Sequence, residues 1–303
     1  MDEPWDCIVV GGGAAGLSAA LVLGRARRRT LLIDAGEPSN RFAEHIGGLL
    51  GQDRRASEDF YADGRAEVLA YPTTEFRSGT VVDGARTDAG FELELADGSR
   101  EAATQVILAT GADYSYEPLP GAQERWGRSV FHCPFCHGWE VSGRPLGVFD
   151  PGESGVHRAL LLGAWSDDVT LFANGPSALE PEHVARLGAA GVAIEERPVE
   201  RLDGPGVELE AVVLADGARV PVGGLLIAVQ LRERSHLAAR LGAEAKPGQL
   251  NLDAIAVDGA FRTSVPGLSA AGDSCTQMPS VTSAITAGQM AAAAVVGALT
   301  GAA

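Results

Sequence analysis

Nine consecutive residues, His132-Cys133-Pro134-Phe135-Cys136-His137-Gly138-Trp139-Glu140, hold the densest chemistry in this chain of 303 residues. Two cysteines separated by two residues can close a reducible disulfide, and a neighbouring imidazole can activate a thiolate. His137 directly follows the second cysteine. Its ordinary pKa of about 6.5 suits it as a general base and later as a thiolate stabiliser. His132 reads as readily as a structural imidazole. Zinc would need a second ligand pair at suitable spacing, and c-type haem attachment, which shares Cys-x-x-Cys-His, would need export. No metal is expected. Phe135 and Trp139 are candidates either for the wall of a substrate pocket or for packing beside the cysteines.

A redox pair needs an electron partner, and the N-terminus offers one. Cys7 to Val10 is a short apolar run leading into Gly11-Gly12-Gly13-Ala14-Ala15-Gly16. A helical pattern from Leu17 to Arg27 follows, then Thr30 to Ile33, with Asp34 closing the second strand roughly 20 residues after the glycines. In such a unit one glycine makes the tight turn, one lets backbone approach a pyrophosphate, and one lets helix and strand pack closely. The helix N-terminus stabilises phosphate charge, and the Asp34 carboxylate can hold a ribose hydroxyl. This is a dinucleotide site. Cys7 reads as a small core residue, and the arginines at 25, 27, 28 and 29 as solvated charge at a helix end.

Composition narrows the partners. A net charge of -16 argues against nucleic acid or an anionic membrane. Cysteines number only four, too few for a secreted disulfide scaffold, so a close pair suggests cytosolic redox chemistry. Met1-Asp2-Glu3-Pro4 lacks the basic region of a signal peptide. The uncharged run from Ile285 to Ala303 is mostly Ala and Gly, which favours a helix packed on protein over a membrane span. A cytoplasmic protein is expected.

The remaining elements form a repeat. Phe91 to Leu95 alternates, Asp97-Gly98 makes a turn, and Gln105 to Gly111 is a buried strand with a small-residue end. Later, Val207 to Glu210 precedes Val212 to Leu214, Asp216-Gly217 turns, and Leu225 to Val229 ends the run. Pro145 to Phe149 is a strand, Asp150-Pro151-Gly152-Glu153-Ser154-Gly155 takes the glycine-loop place, Val156 to Trp165 is helical, and Val169 to Phe172 is the next strand. Two related nucleotide-fold units are therefore expected. Thr263 to Asp273 is a turn and strand, and a helix over Thr282 to Leu299 returns to cover the first unit.

Gly11-Gly12-Gly13-Ala14-Ala15-Gly16, Ala109-Thr110-Gly111, Cys133-Pro134-Phe135-Cys136 and Ala271-Gly272-Asp273, in this order, resemble the low-molecular-weight thioredoxin reductase family of FAD-containing pyridine-nucleotide-disulfide oxidoreductases. The resemblance spans essentially the whole chain. It implies an α/β protein with two Rossmann-like, three-layer nucleotide-binding domains: a discontinuous FAD domain over 1–115 and 240–303, and an inserted domain over 116–239. It also implies a homodimer. FAD contacts are then expected from Gly11, Gly13, Ala15, Gly16, Asp34, Ala35, Asn40, Val82, Thr110, Gly111, Gly272, Asp273 and Val281. Cys136 would face the flavin and Cys133 would exchange with substrate. His45 is a candidate neighbour of flavin or substrate, and Cys275 reads as a small core residue near the cofactor.

The second unit departs from the family pattern. Asp150 and Pro151 replace two leading glycines; a carboxylate there repels pyrophosphate and proline removes an N–H donor. From Ala173 to Glu180 there is no Arg or Lys to grip a 2'-phosphate. This domain is not expected to bind NADPH, so electrons must come from elsewhere. The pattern with His137 after the second cysteine is most similar to the small-molecule dithiol oxidases of the gliotoxin and holomycin type. That implies oxidation of a small dithiol to a disulfide, with O2 reoxidising FAD and giving H2O2. A fixed domain arrangement is expected with it. Two alternatives are a disulfide reductase fed by NADPH or another donor, and a redox-sensing flavoprotein that is not an enzyme.

Overall fold

The computed structural model describes residues 3–302. The chain divides into two compact units, one formed by 1–41, 56–115 and 230–303 and the other by 42–55 and 116–229.

In the first unit, apolar runs make buried parallel strands and alternating runs make a meander. Trp5–Val10 lies parallel between Thr30–Asp34 and Arg100–Leu108, with Val10 opposite Ile33 and Leu108. Thr74–Ser78 adds beyond Thr30–Asp34, and Leu268–Ala270 pairs in parallel with Arg100–Leu108. Gly90–Leu95 and Val81–Thr87 continue the same sheet antiparallel. Phe91, Leu93 and Leu95 point into the core while Glu92 and Glu94 do not.

Helices Ala14–Arg25 and Val281–Thr300 cover the parallel strands. The second is the one helix among the described residues long and apolar enough to cross a membrane. Its Ala284, Ala287, Gly288, Ala291, Ala292 and Val295 instead form a buried stripe against the first helix. A Cβ at Gly288 would overlap the carbonyl of Ala15, so the two backbones touch where both sequences are smallest. Ser280 starts the helix with a capping box to Ser283.

The second unit repeats the plan on a smaller scale. Its parallel sheet runs in the order Val130–Phe131, Gly224–Ile227, Leu146–Phe149, Val169–Phe172, Ala193–Glu195. Helix Glu153–Leu162 follows the central strand, and Val199–Asp203, Ala211–Leu214 and Arg219–Pro221 form an antiparallel layer.

Three sequence expectations need correction. Val207 to Glu210 is no strand: the partner of Ala211–Leu214 is Val199–Asp203. Gly204 and Gly206, both at positive φ around Pro205, turn the chain so that its alternating residues lie in a loop. Residues 42–55 cluster with the second unit. Residues 230–239 cluster with the first, because Gln230–Glu233 pairs with Ala112–Ser115.

Candidate active site

Cys133 and Cys136 form a disulfide, with Cα atoms 5.4 Å apart. Cys133 caps the single turn Pro134–His137, which proline starts without wasting an N–H donor. Two glycines let other parts of the second unit press on this turn. A Cβ at Gly138 would lie 2.6 Å from the Pro134 carbonyl and 2.9 Å from the Trp165 ring. A Cβ at Gly47 would lie 2.5 Å from the Cys136 carbonyl. The 42–55 segment is therefore laid against the disulfide turn, and it brings His45 Nε2 to 3.4 Å from Glu140 Oε1.

Each histidine beside the pair rests on an aromatic ring. His137 stacks on Phe131, with centroids 5.7 Å apart and planes at 13°. Both its nitrogens are buried without a hydrogen-bond partner. Burial pushes its pKa down; the nearby Cys133 carbonyl and the Glu140 charge oppose this. His132 stacks on Trp126 at 5.7 Å, and Trp126 stacks on Tyr116 at 4.8 Å. Burial, and then the nearness of His137, pushes the His132 pKa down to about 4. Both rings are neutral near pH 7, and a neutral imidazole accepts protons. Phe135 and Trp139 are each 69% exposed, so neither is core packing; Phe135 meets Trp165 edge-on at 5.5 Å.

The first unit holds an open cradle. Gly11 has φ +104°, and a Cβ there would overlap the Ala109 carbonyl; one at Gly16 would overlap the Gly11 carbonyl. The Gly12 N–H donates to Asp34 Oδ1 at 2.9 Å. Gly13, the cap of helix Ala14–Arg25, makes no side-chain cap bond, and a Cβ on it would meet nothing within 4 Å. The first helical turn has no acid, and Thr110 Oγ1 is buried without a partner. An uncapped helix end, open space above it, a ribose-reaching acid and an orphaned hydroxyl fit the diphosphate and ribose of a dinucleotide.

Around this cradle the structure gathers several expected residues. A Cβ at Gly272 would sit 2.9 Å from that of Ala15, and one at Gly111 would sit 2.9 Å from Ser39 Oγ. Asp273 is half-buried, and desolvation pushes its pKa up, although the Tyr114 hydroxyl donates to its Oδ2 at 3.1 Å and Ser39 also assists. Asn40 Oδ1 accepts from the Tyr61 hydroxyl at 2.7 Å. Val281 opens the C-terminal helix and packs on the core. Ala35 is exposed. Val82 is 51% exposed at a register shift in its strand. Cys275 Sγ lies 3.4 Å from the Gly272 carbonyl; burial pushes its pKa up to about 12, as befits an inert core thiol.

The corresponding loop of the second unit is filled from within. Asp150, only 5% exposed, accepts from Gly152 N–H at 2.9 Å and from Ser154 Oγ at 2.7 Å, and it pairs with Arg158. Its carboxylate thus takes a loop N–H, a hydroxyl and a guanidinium beside the start of helix Glu153–Leu162. Phe149 and Phe172 pair as Val10 and Ile33 do, so Ala173 stands where Asp34 stands in the first unit. Among the described residues no group of three or more His, Cys, Asp or Glu is placed to hold a metal.

Sequence reading passed over Ser39, Tyr61 and Tyr114 around Asp273, Glu140 beside His45, and the stacking partners Phe131 and Trp126. Only Glu140 carried a local signal, one helical turn beyond His137. The rest meet their partners across 20 or more intervening residues or through chain reversals that no local pattern records.

The model of the pyridine nucleotide-disulphide oxidoreductase family matches residues 5–291. Thioredoxin reductase tcpT of Claviceps purpurea is 32% identical over 300 residues, covering 94% of this chain and 91% of its own. Among solved structures, an oxidoreductase from Agrobacterium tumefaciens is 37% identical with a TM-score of 0.92, covering 98% of this chain and 99% of its own. The protein HlmI is also 37% identical with a TM-score of 0.92, covering 100% and 94%. This chain belongs to the pyridine nucleotide-disulphide oxidoreductase family, as a thioredoxin reductase-like, FAD-binding thiol/disulfide oxidoreductase.

Proposed function

We propose that this protein oxidises a small-molecule dithiol to its disulfide, using the Cys133–Cys136 pair and FAD, with O2 as final acceptor and H2O2 as product. The observation that carries this reading is the Asp150 carboxylate bonded into the second nucleotide loop. With that loop filled, and with no Arg or Lys from Ala173 to Glu180 to hold a 2'-phosphate, NADPH has no cradle from which to supply electrons. The exposed rings of Phe135 and Trp139 suit a small apolar substrate better than a solvated protein surface would.

The chain's residues divide the work as follows. A substrate thiol gives its proton to neutral His137, whose pKa burial holds down. The thiolate attacks Sγ of Cys133, the Cys133–Cys136 bond breaks, and Cys136 leaves as a thiolate. The second substrate thiol, deprotonated in turn, attacks the substrate sulfur and expels Cys133, which leaves a product disulfide and an enzyme dithiol. His132 stays neutral and limits the positive charge beside the pair. Bound FAD would supply the two-electron acceptor for this dithiol and the route from it to O2. Gly11, Gly13, Ala15 and Gly16 would hold its diphosphate and Asp34 its ribose. Thr110, Gly111, Gly272 and Asp273 would line the remainder, with Ala35, Asn40, Val82 and Val281 as outer contacts. The working form is a homodimer, as the family resemblance implies, in the cytoplasm, with one domain arrangement because no nicotinamide needs to reach the flavin.

The test is anaerobic. Dithiothreitol should bleach the flavin of the parent protein but not of Cys133→Ser, and readmitted O2 should restore the band with one H2O2 per dithiol. Rapid bleaching by NADPH would overturn this reading in favour of a disulfide reductase, the activity that the name of the Claviceps relative denotes.

A further inference from the structure

His45 and Glu140 come from distant parts of the chain and meet only because the 42–55 segment is pressed onto the disulfide turn. Three contacts within the second unit hold it there. Gly47 abuts the Cys136 carbonyl, Glu44 pairs with Arg128, and His45 Nε2 reaches Glu140 Oε1 at 3.4 Å. Glu140 stands one helical turn beyond His137, and its N–H donates to the His137 carbonyl at 3.2 Å. We propose that the His45–Glu140 pair is a positioning device for His137: Glu140 holds a negative charge beside the proton-accepting imidazole, and His45 governs how much of it that imidazole feels. The inference rests on the reading of Cys133–Cys136 as the acceptor of substrate electrons.

The surroundings of His137 make the effect specific. Phe131 covers one face, and the carbonyls of Cys133 and Gly127 lie near the ring. The charged or titratable groups that face it are His132, His45 and Glu140. Burial alone would make the imidazole a weak base, and Glu140 offsets this by favouring the imidazolium formed as a substrate thiol gives up its proton. His45 opposes that influence. The two side chains are 25% and 30% exposed, so water and salt screen the pair only in part. Removing one partner therefore does the opposite of removing the other, which a packing role would not produce.

The holoenzyme with Glu140→Gln, His45→Gln or Glu140→Asp is the test, read in two ways. Histidine labelled with carbon-13 gives the titration of His137 by NMR, its resonance identified by loss in His137→Gln. Anaerobic flavin bleaching by dithiothreitol from pH 5.5 to 8.5 gives the acid limb of the reaction; the thiol's own ionisation is common to all variants. Glu140→Gln should move both the titration and the acid limb to lower pH, and His45→Gln should move both to higher pH. Each should change the ratio of rates at pH 5.5 and 8 by about two- to three-fold, and Glu140→Asp should stay near the parent. Shifts in the same direction, or none, in variants with parental flavin content would overturn the proposal. If dithiothreitol fails to bleach even the parent, the dithiol reading falls, while the NMR titrations still decide whether this pair acts on His137.

Discussion

The two nucleotide loops of this protein share a backbone and differ in what their acids do. In both, the sixth residue must be glycine: a Cβ at Gly16 would overlap the Gly11 carbonyl, and one at Gly155 would sit 2.5 Å from the Asp150 carbonyl. In the first loop the acid lies on the neighbouring strand, where Asp34 takes the Gly12 N–H and lies 3.5 Å from Arg65 Nη2; neither loop's helix has a side-chain cap. In the second the acid lies inside the loop, where Asp150 takes Gly152, Ser154 and Arg158. A helix N-terminus attracts an anion from any source. Moving one carboxylate from the strand to the loop therefore converts a ligand site into an internal contact without changing the fold.

The comparison breaks most visibly if the first loop is made to resemble the second. Gly13 has the extended backbone of an N-cap and open space beyond its Cα, so Gly13→Asp fits without strain. FAD affinity should fall about 10²-fold or more, as the new carboxylate competes for the helix N–H groups. The apoprotein should melt no lower, because an Asp cap improves on a Gly cap by only about a few tenths of a kcal/mol. Equilibrium dialysis and melting of the apoprotein check both halves, and unchanged FAD binding would show that the diphosphate does not use this helix end.

Acid should distinguish the units next. His132 in the second unit has a folded-state pKa of about 4 against 6.5 when unfolded. Its neutral burial thus contributes stability that is fully present above 6.5 and is lost as the pH falls toward 4. Between pH 7 and pH 5 the loss is about 2 kcal/mol. His132→Gln should flatten that part of the urea-midpoint profile, and Trp126→Leu, which strips the ring from its stack, should flatten it partly. A parental slope in both would remove His132 as the acid-sensitive group.

The next effect comes from emptying the second loop. Asp150→Ala leaves the Gly152 N–H and the Ser154 hydroxyl without their acceptor and half-buried Arg158 without its partner, a loss of about 1–2 kcal/mol. NADPH should still fail to bleach the flavin, because the loop from Ala173 to Glu180 has no cation to hold a 2'-phosphate. NADPH turnover by Asp150→Ala would make that single carboxylate the whole barrier.

How much of this was legible before the fold was known follows from distance along the chain. The glycine loop, Asp34 and the Cys133–Cys136 pair are local patterns in which spacing encodes geometry, so the sequence names them directly. Asp150 was legible as an intruder, but Gly152 and Ser154 were read only as loop and Arg158 only as helix; Ser154 and Arg158 lie four residues apart on helix Glu153–Leu162, a signal that was available. Val207 to Glu210 imitated a strand because alternation also describes a loop with one buried residue, here Leu209. His45 against Glu140 and Tyr114 against Asp273 could not be read, since nothing local specifies that residues 42–55 turn away to the second unit.

The smallest expected effect is the sharpest test, because it compares buried Asp150 with half-buried Asp273 directly. Asp150 has three donors and is stabilising, whereas Asp273 has hydroxyl donors but is pushed above the ordinary carboxylate pKa by burial. For an acid raised in the folded state, the unfolded chain ionises more readily, so the charge opposes folding above the carboxylate range and this opposition fades as the pH falls through it. Asp273→Asn should therefore raise the stability of the apoprotein by about 1 kcal/mol at pH 7, with the gain vanishing near pH 4. The Tyr114 hydroxyl can still donate to the amide oxygen, so the fold has no reason to shift. FAD binding should weaken about tenfold if the carboxylate is there to accept a cofactor hydroxyl. Stability gained and cofactor lost together would mean that the first unit keeps a costly charge for its ligand, while the second uses its own for itself. A stability loss like that of Asp150→Ala would place Asp273 among the structural acids and erase the contrast.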